Sequence, residues 1–182
     1  MAGMTRDRVW GACIFVVCLC ALQGFFPGAL EFDRQPVLCG ELWRLWTGHF
    51  VHTNMSHLLL NIAAALVLYF TFFTRIKLAD LFFHGIVFSV LISVSLVYFY
   101  PGLDWYNGLS GLLHAMTACY SIRLARDGDP VYWSGVVIIW LKVLAEAAGA
   151  NAGHEILPGD MTVITEAHLV GVCIGTVTAI LC

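Results

Sequence analysis

Asn107-Gly108-Leu109-Ser110-Gly111-Leu112-Leu113-His114 is the stretch on which the reading of this chain turns. Upstream, Tyr100-Pro101-Gly102-Leu103-Asp104 reads as a loop, because Pro and Gly interrupt an apolar run. Downstream the chain stays apolar to Leu124. A serine between small residues at a helix start has a sterically open hydroxyl. The first backbone N–H groups of a helix lack intrahelical partners and can hold an oxyanion. The same pattern also serves as a helix N-cap or a packing position, so the rest of the chain has to supply a base.

The surroundings of that stretch are those of a membrane protein. Hydrophobic residues make up 60% of the chain and charged residues 12%, against about half and about a quarter in soluble domains. Six spans are expected, at about 9–26, 55–73, 81–99, 106–124, 131–148 and 161–181, in a single domain over 1–182. The first run, preceded by Arg6 and Arg8, could be a cleaved signal peptide. Ala21-Leu22-Gln23-Gly24 is a poor cleavage site, so a retained span is expected. Residues 27–54 interleave charges with Phe32, Trp43, Trp46 and Phe50, as suits a loop in the membrane interface. Gly149 to Asp160, with His154 and Glu155, reads as a loop. With both termini inside, the inner ends hold Arg6, Arg8, Arg75, Lys77, Arg123 and Arg126, and the outer loops hold only Arg34 and Arg44. The seven cysteines lack a C-x-x-C pair and are expected as free, mostly buried thiols. No basic block points to nucleic acid, and no cofactor or metal is expected.

Polar groups inside spans cost free energy and are by default functional. His57 and Asn61 stand at i and i+4 on the second span and share a face. His168 lies about two turns from the outer end of the sixth span. Hence His57, Asn61, Ser110 and His168 fall at one depth, on three helices running in the same direction. Gly111 and Ala115 follow Ser110, and Gly171 and Gly175 follow His168, at the small-xxx-small spacing that lets helices approach closely. His168 is therefore expected to take the Ser110 proton, with the Ser110 backbone N–H, His57 and Asn61 as oxyanion donors. Glu166 is two residues from His168 and on another face, so a Ser–His dyad without a carboxylate is expected. His114, four residues after Ser110, is a rival base. Lys142 and Glu146 form an i, i+4 pair in the fifth span, read first as mutual neutralisation and second as part of a substrate entrance.

Taken in order, these motifs resemble the rhomboid intramembrane serine proteases. Trp43-Arg44, Thr47, His52 and His57-x-x-x-Asn61 look like that family's first loop and second helix. Gly108-x-Ser110-Gly111 looks like its nucleophile motif, and Ala167-His168-x-x-Gly171-x-x-x-Gly175 like its base-bearing helix. The resemblance implies an all-α, six-transmembrane-helix rhomboid bundle, a serine endopeptidase with Ser110 and His168 as its dyad, and a partly submerged structural loop at Trp43-Arg44. Many rhomboids carry Tyr four residues after the serine, where this chain has His114. That departure, with Gly-Leu-Ser-Gly-x-Leu-His in a compact chain, is similar to the rhombosortase subgroup. The subgroup implies a bacterial inner-membrane protease whose periplasm-facing site cuts the C-terminal Gly-Gly-type transmembrane tail of exported proteins. Its partners would be the lipid bilayer and those substrates. Two other classes stand beside it: a catalytically silent membrane-protein binder of the same fold, and a metal or haem protein built on His49, His52, His57 and His84.

Overall fold

A computed structural model describes residues 6–25, 27–71, 73–149 and 163–181. Its helices in chain order are α1 (Arg6–Phe25), α2 (Pro27–Leu30), α3 (Arg34–Leu38), α4 (Arg44–Thr47), α5 (Met55–Thr71), α6 (Leu78–Phe99), α7 (Ser110–Arg126), α8 (Tyr132–Ala147) and α9 (Thr165–Leu181). Two strands of two residues, β1 (Phe32–Asp33) and β2 (Trp105–Tyr106), pair antiparallel, with Phe32 opposite Tyr106. This small ladder was not expected from the sequence. It joins the first loop to the segment that leads into α7.

Ile14, Val17, Phe82, Leu141 and Ile180 all stand exposed. Exposed apolar surface of this kind suits a membrane face, and the long apolar helices make this an all-α membrane protein. Among the described residues, α1 and α6 are each long and apolar enough to cross a bilayer, and the bent pair Arg44–Phe50 and Met55–Phe70 adds up to one more. Helices α7, α8 and α9 have 17, 16 and 17 residues. At about 1.5 Å per residue each reaches roughly 25 Å, a little short of a standard hydrocarbon core.

α7 is the centre of the bundle. Leu112, Ala115, Cys119 and Ile122 are all buried, as are the polar Thr117 and Ser121. It packs most closely on α9, and α6 and α8 complete the surround. A Cβ added to Gly171 would lie 2.3 Å from the Gly111 carbonyl oxygen, and one on Gly175 would lie 2.0 Å from that of Ala115. The two backbones therefore touch, as the small-xxx-small spacing predicted. An apolar groove of about 710 Å³ is lined by side chains of α1, α5 and α6 and by Leu109, Leu112 and Leu113 of the α7 region.

Several boundaries differ from expectation. The fourth span was expected from 106, but α7 starts at Ser110. Tyr106 is held in β2, and Gly108 has φ +114°, which no helix accommodates. The sixth begins at Thr165, with 163–164 non-helical and 161–162 outside the described residues. His154, Glu155 and Cys182 also lie outside them. Of the cysteines within them, Cys119 alone is buried, and Cys13, Cys18, Cys20, Cys39 and Cys173 are free and exposed. The expectation of mostly buried thiols is thus corrected. The apolar helices α1 and α9 carry Cys13, Cys18, Cys20 and Cys173 on their lipid side, and Cys39 follows α3 in the first loop.

The first loop is fixed by two arginines. Arg34 is buried, and its guanidinium donates to the carbonyls of Leu96 (3.1 Å), Val97 (2.9 Å), Tyr100 (2.6 Å) and Leu103 (2.9 Å). It thereby gives the Val97 and Leu103 carbonyls a donor, adds a second donor to those of Leu96 and Tyr100, which already accept from the Tyr100 and Leu103 N–H groups, and sets a cation at the negative end of α6. Arg44 donates to the carbonyls of Gly28 and Glu31 and pairs with Glu41 at 2.6 Å, while Trp43 Nε1 donates to the Ala29 carbonyl. Arg34→Met should leave the Val97 and Leu103 carbonyls without that donor and destabilise the protein by about 2 kcal/mol. Thermal unfolding in mild detergent checks this. Arg34→Lys should recover only part of the loss, because an ammonium lacks the planar fork.

Candidate active site

Ser110 is the first residue of α7, and its hydroxyl does not cap the helix. Leu109 precedes it in helical backbone geometry with no side-chain cap. Instead Ser110 Oγ lies 2.8 Å from Nε2 of His168 on α9. The chain reaches this point through a chain of constraints. Gly108 N–H donates to the Gly48 carbonyl, and Thr53 Oγ1 donates to Asn107 Oδ1 at 2.9 Å. The Tyr106 hydroxyl donates to the Gly108 carbonyl at 2.6 Å. Burial pushes the Tyr106 phenol well above its usual range, so it remains a donor. Gly108 is required twice: its φ is positive, and a Cβ there would lie 2.7 Å from Cε1 of His57.

The histidine is held on three sides. His168 is buried, and His114 stacks on it with ring centroids 4.2 Å apart and planes 10° from parallel. Its Nδ1 lies 2.9 Å from Glu146 Oε2 on α8. The other oxygen of that carboxylate accepts from Lys142 Nζ at 2.6 Å, and the same ammonium is 3.4 Å from His168 Nδ1. The expectation of a pair with no carboxylate in reach is therefore corrected. Lys142 and Glu146 do neutralise each other, but a carboxylate has two oxygens and the second faces the imidazole. His114 has Nδ1 2.7 Å from the Ser110 carbonyl oxygen, away from the hydroxyl, so it stands beside the pair rather than in line with it.

His57 lies over Gly108, two residues from Ser110, with its backbone N–H accepted by the Asn54 side chain at the start of α5. Asn61 is buried, and its amide nitrogen donates to the His57 carbonyl at 3.1 Å. That leaves the second amide hydrogen for another acceptor. The Ser110 N–H opens α7 and so has no intrahelical acceptor. Of the four residues expected at one depth, His168 meets Ser110 and His57 meets Gly108 two residues before it, while the hydrogen bond made by Asn61 is to the His57 carbonyl. Sequence reasoning missed Gln23 of α1, whose side chain accepts from His52 N–H at 2.7 Å and donates to the His52 carbonyl at 2.8 Å. It also missed Tyr106 and Asn107. None of the three stands out by spacing, since each acts on loop backbone or on a loop side chain.

The other histidines are dispersed. His49 Nε2 is 3.0 Å from the Ser89 carbonyl oxygen and 3.1 Å from Ser93 Oγ. His84 Nδ1 is 2.8 Å from the Tyr120 hydroxyl. His52 is edge-on to His57 at 5.0 Å, and burial with the neighbouring His57 lowers its imidazole to about 3. Among the described residues, the one trio of ligand-type side chains close enough for a cation is His114, Glu146 and His168, with ligand atoms within 4.8 Å. Lys142 already supplies the positive charge beside Glu146. The near-parallel stack directs the in-plane lone pairs of the two rings side by side rather than toward one point.

A serine hydroxyl on an imidazole at the start of a helix, in a bundle of apolar helices, is the arrangement a membrane-embedded serine hydrolase would use. The Rhomboid domain family model matches residues 39–182, and the chain belongs to the rhomboid family. It is an intramembrane serine protease, a hydrolase, whose surroundings are the lipid bilayer and whose substrates are transmembrane proteins. No curated protein matches the chain.

Proposed function

We propose that Ser110 is the nucleophile and His168 the general base of an endopeptidase that removes the C-terminal transmembrane tail of exported proteins. The observation that carries this is the 2.8 Å approach of His168 Nε2 to Ser110 Oγ at the start of a buried helix. His168 takes the hydroxyl proton as Oγ attacks the scissile carbonyl carbon. The oxyanion is met by the Ser110 N–H, with His57 and the free Asn61 amide hydrogen beside it. The C–N bond then breaks, and the leaving amine takes the proton from His168. Water, deprotonated by the same imidazole, cleaves the acyl-enzyme and returns the proton to Ser110. Trp43, Arg44, Gly108, Gly111, Gly171 and Gly175 hold this geometry and do not react.

In this reading the bundle crosses a bacterial inner membrane six times, with both termini inside and Ser110 near the periplasmic face. The excess of Arg and Lys at the inner ends supports it. The rhombosortase-type substrate, with a Gly-Gly motif before a transmembrane tail, is supported by Gly-Leu-Ser-Gly-x-Leu-His and by the stacking of His114, in place of Tyr, on His168.

Two experiments test it. A fluorophosphonate applied to membranes containing the protein should give one adduct, mapped to Ser110 and absent in Ser110→Ala. A folded protein that takes up no probe would favour a catalytically silent rhomboid fold. Co-expression with a tail-bearing secreted protein should release that protein, and Gly-Gly→Ala-Ala in the tail should slow release. Equal release of both would remove the Gly-Gly specificity while leaving the protease intact.

A further inference from the structure

We propose that Glu146 and Lys142 of α8 together set the tautomer of His168, so that the site works as a serine–histidine–glutamate relay with a lysine counter-ion. The inference rests on the reading of Ser110 and His168 given above. It starts from the donor and acceptor inventory. An ionised carboxylate only accepts, so at 2.9 Å from Glu146 Oε2 the His168 Nδ1 carries the hydrogen. A neutral imidazole has one N–H, which leaves Nε2 bare and able to accept from Ser110 Oγ at 2.8 Å. Lys142 has the opposite tendency. Its ammonium only donates and stands 3.4 Å from the same Nδ1. If Lys142 were the partner, Nδ1 would accept, Nε2 would carry the hydrogen, and the imidazole could not take a proton from Ser110.

The arrangement favours the productive tautomer in two ways. The carboxylate is the nearer partner of Nδ1, and its other oxygen holds the ammonium at 2.6 Å, away from the ring. Side-chain exposure falls along the relay, from 44% at Lys142 to 17% at Glu146 and 5% at His168. The compensating cation is therefore the most exposed member of the relay and the imidazole the most buried. An isolated carboxylate in this position would be costly, and the lysine offsets that cost before the reaction begins. When His168 takes the proton, the imidazolium forms against a carboxylate already in place. Glu146 touches no reacting atom: it is a positioning residue acting through His168.

The test measures how fast a small fluorophosphonate labels Ser110 in membranes, a reaction that needs no substrate helix to enter. Glu146→Gln should slow labelling by at least about 10²-fold. Lys142 would hold the new amide's oxygen and turn its NH2 toward Nδ1, fixing the unproductive tautomer. Adding Lys142→Met should then restore at least about tenfold of the loss, since the amide is freed to present its oxygen to Nδ1–H. Glu146→Asp should fall between wild type and Glu146→Gln. Recovery on removing a second residue is not expected of a merely structural pair. Labelling of Glu146→Gln within about threefold of wild type would overturn the proposal, and so would a double variant no faster than the single one. Normal labelling combined with lost cleavage of a membrane substrate would assign the pair to substrate entry instead. A folded wild-type protein that fails to label would remove the assignment of Ser110 itself, an outcome distinct from the others.

Discussion

Replacing His168 by alanine is expected to slow fluorophosphonate labelling of Ser110, and cleavage of a tail-bearing substrate, by at least about 10⁴-fold. A serine hydroxyl is a weak nucleophile at its own pKa, and the base within 3 Å of Ser110 Oγ is His168 Nε2. No neighbour is poised to substitute. His114 is the nearest imidazole, but its Nδ1 is engaged with the Ser110 carbonyl at 2.7 Å, and its ring lies parallel to the one removed. Glu146 and Lys142 would be left facing each other across the gap. Peptide mapping of the labelled protein gives the result directly. Labelling that survives His168→Ala but disappears in His114→Ala would transfer the role of base to His114.

Gly175→Val should have the largest effect on the fold. A Cβ at this position would lie 2.0 Å from the Ala115 carbonyl oxygen and 2.8 Å from its carbon. Those atoms are helix backbone and cannot turn aside as a flexible side chain could. Helix α9 would have to withdraw from α7 by more than an ångström, opening the seam that Gly171 and Gly111 form one turn away. The expected cost is about 3 kcal/mol or more, read as a fall in the thermal midpoint in detergent and in resistance to proteolysis. Because His168 is on α9 and Ser110 on α7, labelling should be lost as well. Even Gly175→Ala should lengthen the 2.8 Å contact and slow labelling before it unfolds the protein. An unchanged midpoint for the valine variant would mean that α7 and α9 are not in backbone contact.

How far the sequence carries depends on what kind of signal each part leaves. His57 and Asn61, Ser110 and His168 were legible because polar residues in apolar helices are rare, and their spacing fixes both depth and face. The α7–α9 seam was legible because small residues recur every fourth position. The edge of α7 was not. Residues 106–109 read as the first turn of the fourth span, and the pairing of Tyr106 with Phe32 that keeps them out of α7 is a contact across more than seventy residues. Glu146 was visible as an i, i+4 partner of Lys142, and that local explanation concealed the second oxygen. Its place in the last turn of α8, at the end of the expected fifth span that the charge count puts on the side of Ser110, was the signal that could have revealed it. Arg34 reads as one more loop charge, since nothing in its neighbours announces four carbonyls waiting sixty residues away.

Ser110 and His168 are 58 residues apart along the chain, and the intervening stretch includes all of α8. At about 5–20 residues per second, a ribosome adds those residues over roughly 3–12 seconds. During that interval the nascent chain holds the serine but neither the imidazole nor the glycine seam that closes around it. The hydroxyl is chemically ordinary while the membrane around it is crowded with other newly made helices. On the proposed roles of Ser110 and His168, reactivity arrives only with the packing of α9, so a chain that still lacks α9 would be inert.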